Sequence, residues 1–181
     1  SIAESDWAAA VDFCEKNPQR LRPAFGIHPW QAHEVDTIDL ETMLQSHPLA
    51  PVGEIGLCKC AKNVRGPLKE SGFAAQLRVF KQQLRAAATL SRPVSIRCVK
   101  AQNPMLEALK AVQGIPSIAL HSFSGTAHHV KQLLKHYEAS DTCVYFGFSY
   151  TINVQLNSKA QVLAAAILAV PDNRILVESD L

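Results

Sequence analysis

The order of apolar and polar positions along the chain predicts strands that alternate with helices. Runs of apolar, β-prone residues predict strands at 22–26, 51–57, 94–99, 115–120, 143–148 and 175–177. Apolar side chains that recur every three or four positions predict helices at 7–16, 39–45, 73–90, 105–112, 126–137 and 159–170. The polar segment 59–72 contains Gly66 and Pro67 and is expected to be a long loop. This alternation favours right-handed βαβ units and a parallel sheet.

Short polar motifs directly follow several of these predicted strands. They are Gly26–Trp30 (GIHPW), Gly53–Leu57 (GEIGL), His121–Gly125 (HSFSG) and Glu178–Asp180 (ESD). In a parallel α/β barrel the active site lies at the carboxyl ends of the strands and is supplied by several strands at once. Glu, His and Asp are metal ligands and general acid or base groups. The pattern therefore predicts a TIM-type α/β barrel that carries a metal-dependent hydrolase site.

Composition adds a few constraints to this picture. With 181 residues, 48% of them hydrophobic, positions 1–181 are expected to form one domain with a sizeable core. A net charge of +2 neither demands nor forbids a nucleic-acid partner. The apolar stretch 162–170 is too short to span a bilayer, and no basic-then-apolar leader follows Ser1, so no membrane partner is expected. Five cysteines without framework spacing indicate reduced thiols and a cytoplasmic or nuclear location.

Five motifs, in this order along nearly the whole chain, resemble successive signatures of the TatD family. They are Phe25–Pro29 (FGIHP), Val52–Leu57 (VGEIGL), Arg92–Ile96 (RPVSI), His121–Gly125 (HSFSG) and Leu176–Asp180 (LVESD). The resemblance implies the TIM barrel of the amidohydrolase-like metal-dependent hydrolases. It also implies a deoxyribonuclease-like activity that cleaves phosphodiester bonds with divalent cations (Mg, Mn or Zn), two of them in a complete family member.

The same resemblance implies roles for three side chains. Glu54 would be a catalytic carboxylate that bridges two metal ions, which such sites hold about 3.5–4 Å apart. His121 would ligate the second metal. Asp180 would ligate the first metal and would orient or deprotonate the attacking water. On the residues alone, other interpretations stay open: Glu54 could cap a helix or pair with an arginine, His121 could bond a loop carbonyl, and Asp180 could be a helix N-cap.

A second group of side chains is expected near the substrate. The resemblance places His28 in the lining of the substrate cleft, although a structural role for this histidine is equally open. Lys59 or Lys62 is expected close to the substrate phosphates. By contrast, His128 and His129 are expected on a solvated helix face.

The chain departs from the family pattern at two strand ends. Where relatives carry histidine in a Pro-Val-x-x-His pattern, this chain has Arg97, whose guanidinium is always charged and cannot ligate a cation. Near Glu54, Arg97 would instead mimic part of a metal's charge. Cys58 replaces the usual aspartate after Gly-Leu. A thiolate cluster of Cys58, Cys60 and Cys98 is the alternative, but its spacing matches no common zinc site.

A third departure is the lack of the His-x-His pair with which the family's first strand ends. The chain also stops one residue after Asp180, so we expect an incomplete barrel without its first and last strands, belonging to a longer protein. Two functional hypotheses follow. One is a metal-dependent, DNase-like phosphodiesterase, expected to be a monomer that acts on DNA or another phosphoester. The other is a catalytically weakened relative that serves as a binding or scaffold protein, with Arg97 at the vacant metal position.

Overall fold

Five parallel strands form the sheet of this protein, in a computed structural model that describes residues 2–36, 38–155 and 160–179. The strands are β1 (Val52–Cys58), β2 (Val94–Val99), β3 (Ser117–His121), β4 (Cys143–Ser149) and β5 (Ile175–Glu178). They lie side by side in chain order, and each pairs in parallel with the next. This order confirms the predicted α/β class and is that of consecutive strands in a (β/α) barrel.

Six α-helices connect or precede the strands within the described residues. They are α1 (Trp7–Glu15), α2 (Leu40–Ser46), α3 (Lys69–Thr89), α4 (Gln102–Lys110), α5 (Ala127–Tyr137) and α6 (Ala160–Leu168). All six lie where the periodicity predicts them. The long predicted loop is partly wrong, because α3 begins at Lys69 rather than at Phe73. Pro67 in the preceding 3₁₀ turn and Glu70 in the first helical turn both favour this earlier start.

The predicted strand at 22–26 is wrong. Only Phe25 pairs with the sheet, through an isolated parallel bridge to Val52. The Phe25 N–H donates to the Pro51 carbonyl (3.2 Å), and the Gly53 N–H donates to the Phe25 carbonyl (2.8 Å). Pro23 has no N–H to continue the ladder. The segment nevertheless runs beside β1 and brings His28 close to Glu54 of that strand.

The core lies between the sheet and the helices that cover it. Phe25, Ile55, Leu84, Ile96 and Phe146 are fully buried there. Burying a side chain of this size stabilises the fold by about 1.5–3 kcal/mol. This packing fixes the strands on which the site is built. None of the described helices is long and apolar enough to cross a membrane.

Candidate functional site

Side chains from β1, β2, β3 and the loop that follows Phe25 meet around the carboxylate of Glu54. Its Oε1 lies 3.4 Å from Arg97 Nη1 and 3.7 Å from His28 Nε2, and its Oε2 lies 3.9 Å from His121 Nε2. The Glu54 side chain is 26% exposed, so the carboxylate borders solvent while its neighbours are more buried. The structure thus brings together four of the side chains singled out in the sequence.

The glycines of the GEIG motif allow this close approach of β1 to β2. Gly56 has a φ of +146°, and a Cβ atom at this position would lie 1.9 Å from the Arg97 carbonyl oxygen. In the strand register Gly56 is directly opposite Arg97, which in turn is opposite His121. A residue with a side chain could not occupy this position without separating the strands. Gly56 is therefore needed for the spacing that places Arg97 beside Glu54.

A second carboxylate, Glu178 at the end of β5, completes the site and was not assigned a role from the sequence. Its Oε2 lies 3.0 Å from His121 Nδ1 and accepts hydrogen bonds from the N–H (2.9 Å) and Oγ (3.1 Å) of Ser122. Burial by itself raises the pKa of Glu178, but the hydrogen bonds from His121 and Ser122 outweigh it and hold the pKa below its usual range. Glu178 is therefore ionised at neutral pH.

The contact with Glu178 also determines the protonation of the His121 ring. A carboxylate against Nδ1 keeps a proton on that nitrogen, so Nε2, the nitrogen that faces Glu54, is the one left to bind a proton or a cation. The same arrangement orients histidine ligands in metal sites, where the second ring nitrogen donates to a carboxylate. His121 is thus prepared to act as a ligand or base through Nε2.

Residues of β4 and the turn after it leave space for the Glu178 carboxylate and hydrogen-bond to its partner Ser122. A Cβ atom at Gly147 would lie 1.8 Å from Glu178 Oε1, so the carboxylate occupies the space that this glycine leaves. Ser149 Oγ lies 3.1 Å from Ser122 Oγ, and the Ser149 N–H donates to Asn153 Oδ1 (2.8 Å). The hydrogen bonds run from the turn after β4 through Ser122 to Glu178.

His28 is buried beneath the site and is neutral. Burial, together with the positive charges of Arg97 and His121, lowers the pKa of His28 to about 4. Its Nδ1 accepts a hydrogen bond from the Trp30 N–H (3.2 Å), so its proton is on Nε2, the nitrogen that faces Glu54. His28 therefore presents a neutral N–H to Glu54, and its place in the lining of a substrate cleft stays a prediction.

Two buried glutamines of α3 hold the backbone on both sides of the site. Gln83 accepts from the Ile27 N–H (2.6 Å) and donates to the Ile27 carbonyl (3.2 Å). Gln76 does the same with Cys58, accepting from its N–H (2.8 Å) and donating to its carbonyl (3.2 Å). Each amide replaces a strand neighbour, so the residue before His28 and the last residue of β1 are both fixed to α3.

A cleft of about 790 Å³ adjoins the site, and Arg97 forms part of its wall. Lys62 and Trp30 also line this cleft. Lys59 lies elsewhere: its Nζ is 5.1 Å from the centre of the Phe73 ring, and it lines a separate groove along α3. The substrate contacts of both lysines remain predictions.

Among the described residues, the donor atoms near Glu54 do not form a complete metal site. Across residues 2–36, 38–155 and 160–179, no group of three or more His, Cys, Asp or Glu side chains could hold a metal ion, so no cysteine cluster forms. Asp180, a predicted ligand, lies outside the described residues. Glu54 Oε2 and His121 Nε2 face each other, whereas Arg97 places a fixed positive charge against Glu54 Oε1. A second cation beside that oxygen would meet repulsion from the guanidinium.

Comparison with known proteins identifies the family. The family model described as TatD related DNase matches residues 1–181. The 3'-5' ssDNA/RNA exonuclease TatD of Edwardsiella piscicida is 28% identical over 96% of this chain and 62% of its own length. The human 3'-5' RNA nuclease TATDN2 is 32% identical over 87% of this chain and 19% of its own length. The Schizosaccharomyces pombe Cut9-interacting protein scn1 is 25% identical, with 97% and 76% covered.

Solved structures show the same fold. A TatD homologue from Escherichia coli K12, YJJV, superposes with a TM-score of 0.79 at 22% identity, covering 99% of this chain and 65% of its own. An uncharacterized amidohydrolase from Saccharomyces cerevisiae superposes with a TM-score of 0.72 at 15% identity, with 99% and 62% covered. The chain spans 62% of the length of the Edwardsiella relative, so five strands represent part of a barrel. With its family model matched from the first residue to the last, the chain belongs to the TatD family.

Proposed function

We propose that this chain is a hydrolase of nucleic-acid phosphodiester bonds that works with one divalent cation. The observation that carries the proposal is the row formed by Glu54, His121 and Glu178, with 3.9 Å and 3.0 Å between successive side chains. In it, an ionised carboxylate, Glu178, orients the imidazole of His121, and Nε2 of that imidazole faces a second carboxylate, Glu54. The printed names of the Edwardsiella and human relatives, an exonuclease and an RNA nuclease, support nucleic acid as the substrate class.

Glu54 Oε2 and His121 Nε2 would hold the cation, and Asp180 remains the predicted third ligand. When bound, a divalent cation lowers the pKa of a water ligand and neutralises charge on the phosphate. The mixture of imidazole and carboxylate donors favours Mn²⁺ or Zn²⁺ over Mg²⁺, which prefers oxygen ligands. The carboxylate of Glu178 keeps His121 in the tautomer that can ligate.

Arg97 would act on the substrate from the strand end at which the family resemblance places a metal-ligating histidine. Its side chain is 16% exposed and stays charged at every accessible pH, so it provides a fixed positive charge beside Glu54. Guanidinium groups bind phosphate oxygens in a fixed, often bidentate geometry. Arg97 would therefore orient the scissile phosphate and stabilise the charge that develops on it during attack by water.

A binding protein without activity is the second candidate. The contact between Arg97 and Glu54 supports it, because this pairing occupies an oxygen that a bridging ligand would offer to a metal. The relative from Schizosaccharomyces pombe is named for an interaction with Cut9 rather than for a reaction. On this alternative, Arg97 stabilises the family fold without a metal.

Cleavage of labelled single-stranded DNA and RNA in Mn²⁺, Zn²⁺, Mg²⁺ or EDTA distinguishes the two functions. Glu54→Gln should lower metal-dependent cleavage by about 100-fold or more, since even residues that only orient metal ligands matter 10–100-fold. Glu107→Gln is the matched control, because Glu107 pairs with Lys110 on the exposed face of α4 (2.7 Å). Metal-stimulated cleavage by the natural chain supports the enzyme. Cleavage by Arg97→His alone supports the binding protein, and cleavage by neither overturns the enzyme proposal.

A further inference from the structure

Trp30 is an exposed aromatic side chain on the wall of the cleft beside Glu54. It is 50% exposed, whereas the other tryptophan, Trp7, is 3% exposed and belongs to the core. The same cleft, about 790 Å³ in volume, also contains Arg97. A large indole left in water next to a catalytic carboxylate offers a flat apolar surface to a ligand.

The indole is held in place by its neighbours. The Trp30 ring packs edge-to-face on His28, with ring centres 4.7 Å apart and an angle of 84° between the planes. Its backbone N–H donates to His28 Nδ1 (3.2 Å), and its carbonyl accepts from Nδ2 of the buried Asn63 (3.4 Å). Since His28 also approaches Glu54, a single side chain separates the indole from the site. A ligand on Trp30 would therefore have a fixed position relative to Glu54.

The charges around the cleft are all positive among the described residues. Lys62, Arg65 and Arg97 line it, and no Asp or Glu is among the described side chains of its wall. The chain as a whole carries only +2, so this is a local concentration of charge. Cations that follow a backbone, combined with an aromatic face for stacking, are the features with which proteins bind single-stranded nucleic acid.

We infer that this cleft is a subsite for one unpaired nucleotide of the substrate. Its base stacks on Trp30, its phosphate faces Lys62 and Arg65, and the neighbouring phosphodiester lies at Glu54 and Arg97. This inference rests on the proposed function and deepens it by assigning Trp30, Lys62 and Arg65 to the nucleotide beside the scissile bond. A base within a duplex is paired and stacked on both faces, so it reaches an indole only after unpairing, which costs a few kcal/mol.

Binding in EDTA tests the subsite without requiring turnover. The probes are fluorescently labelled oligonucleotides of about eight nucleotides, the length that one single-strand site covers. They are an oligodeoxythymidine, an oligouridine, an abasic strand with the same number of phosphates, and a blunt duplex. The first two distinguish DNA from RNA as the source of the nucleotide. Binding of either one more tightly than the abasic strand and the duplex supports the subsite. Anisotropy reports affinity, and quenching of intrinsic fluorescence reports contact with Trp30.

Two variants and one control isolate the stacking contribution. Trp30→Ala should weaken binding of the single strand about tenfold, as expected for the loss of one base–aromatic stack. Trp30→Phe should retain affinity within about threefold, since a phenyl ring still stacks, while the ligand-induced quenching disappears. Phe13→Ala removes another exposed aromatic side chain (62% exposed), on α1, and should leave affinity unchanged.

The outcomes separate this inference from the proposed function. Quenching by base-containing strands, weak binding of the abasic strand and the duplex, and the loss in Trp30→Ala together support the subsite. Equal binding of the abasic strand or the duplex, no loss in Trp30→Ala, or no binding of any strand overturns it. Tight stacking in EDTA together with no metal-stimulated cleavage would refute the hydrolase and retain the nucleotide subsite.

Discussion

Gly147→Ala tests whether the position of the Glu178 carboxylate depends on the gap that this glycine leaves in β4. The new Cβ atom would lie 1.8 Å from Glu178 Oε1, and the two next-nearest atoms also belong to that carboxyl group, at 2.4 Å and 3.1 Å. Ordinary contacts between such atoms are about 3.5 Å or longer. The carboxylate must therefore move by more than an ångström, or the strands must separate.

The hydrogen bonds that this movement breaks determine the cost. Glu178 Oε2 lies 2.9 Å and 3.1 Å from the donors of Ser122 and 3.0 Å from His121 Nδ1. A hydrogen bond to a charged group contributes about 1.5–3 kcal/mol, and part of the loss is recovered from water because the site borders solvent. We expect Gly147→Ala to lower the free energy of unfolding by about 3 kcal/mol, measured by urea denaturation monitored by circular dichroism.

Glu178→Ala supplies the matched background. Removing the Glu178 side chain removes the three atoms nearest to the new Cβ atom, and alanine lowers the entropy of the unfolded chain. In that background the same change should be neutral or should stabilise the protein by about 0.5 kcal/mol. If Gly147→Ala costs less than about 1 kcal/mol in the natural chain, or the same amount in both backgrounds, the reasoning is refuted.

Two further predictions concern hydrogen bonds outside the carboxylate row. Gln83→Ala leaves the buried N–H and carbonyl of Ile27 without their partner, so urea unfolding should show a loss of about 2–4 kcal/mol; a loss below about 1 kcal/mol would contradict this role. His129 caps α5 by accepting from the Thr126 N–H (3.1 Å), and burial followed by the charge of His128 lowers its pKa below the ordinary 6.5. Its contribution to stability is therefore complete above pH 6.5 and is lost as the pH falls through the lower folded value. NMR titration should give His129 a pKa below 6.5, and His129→Gln, which retains a capping side chain, should remove this pH dependence.

The sequence predicts most of the elements because burial and local propensity agree along them. Ile96 and its alternating neighbours indicate β2, and the stripe through Phe80 and Leu84 indicates α3. The strand predicted at 22–26 fails because a short apolar run does not reveal whether its backbone groups find partners. There Pro23 removes a donor, and only Phe25 pairs with the sheet.

The sequence predicts the site residues that belong to the polar motifs at the ends of the predicted strands. Glu54, His28 and His121 converge as the motifs indicate, and Arg97 lies against Glu54 as its charge suggests. Glu178 was missed although it belongs to a quoted motif, because whether its side chain faces inward depends on the register of β5 with β4.

Gln76 and Gln83 were missed for a different reason. An uncharged polar residue beside the apolar stripe of a helix is ordinarily expected on the solvent-exposed face. Gln76 and Gln83 are nevertheless buried. The signal for their role lies in the backbone groups of Ile27 and Cys58, which need partners that no neighbouring strand provides. That need depends on tertiary structure and is not visible in the local sequence.

Because one helix holds both Ile27 and Cys58, the two backbone segments behave mechanically as one piece with α3. Any displacement of the helix would carry the His28 loop and the end of β1 together, so the distance between them would stay constant. The parallel ladder from β1 through β2 to β3 joins the same piece to Arg97 and His121. The glutamine pair and this ladder together hold the side chains around Glu54 at one spacing.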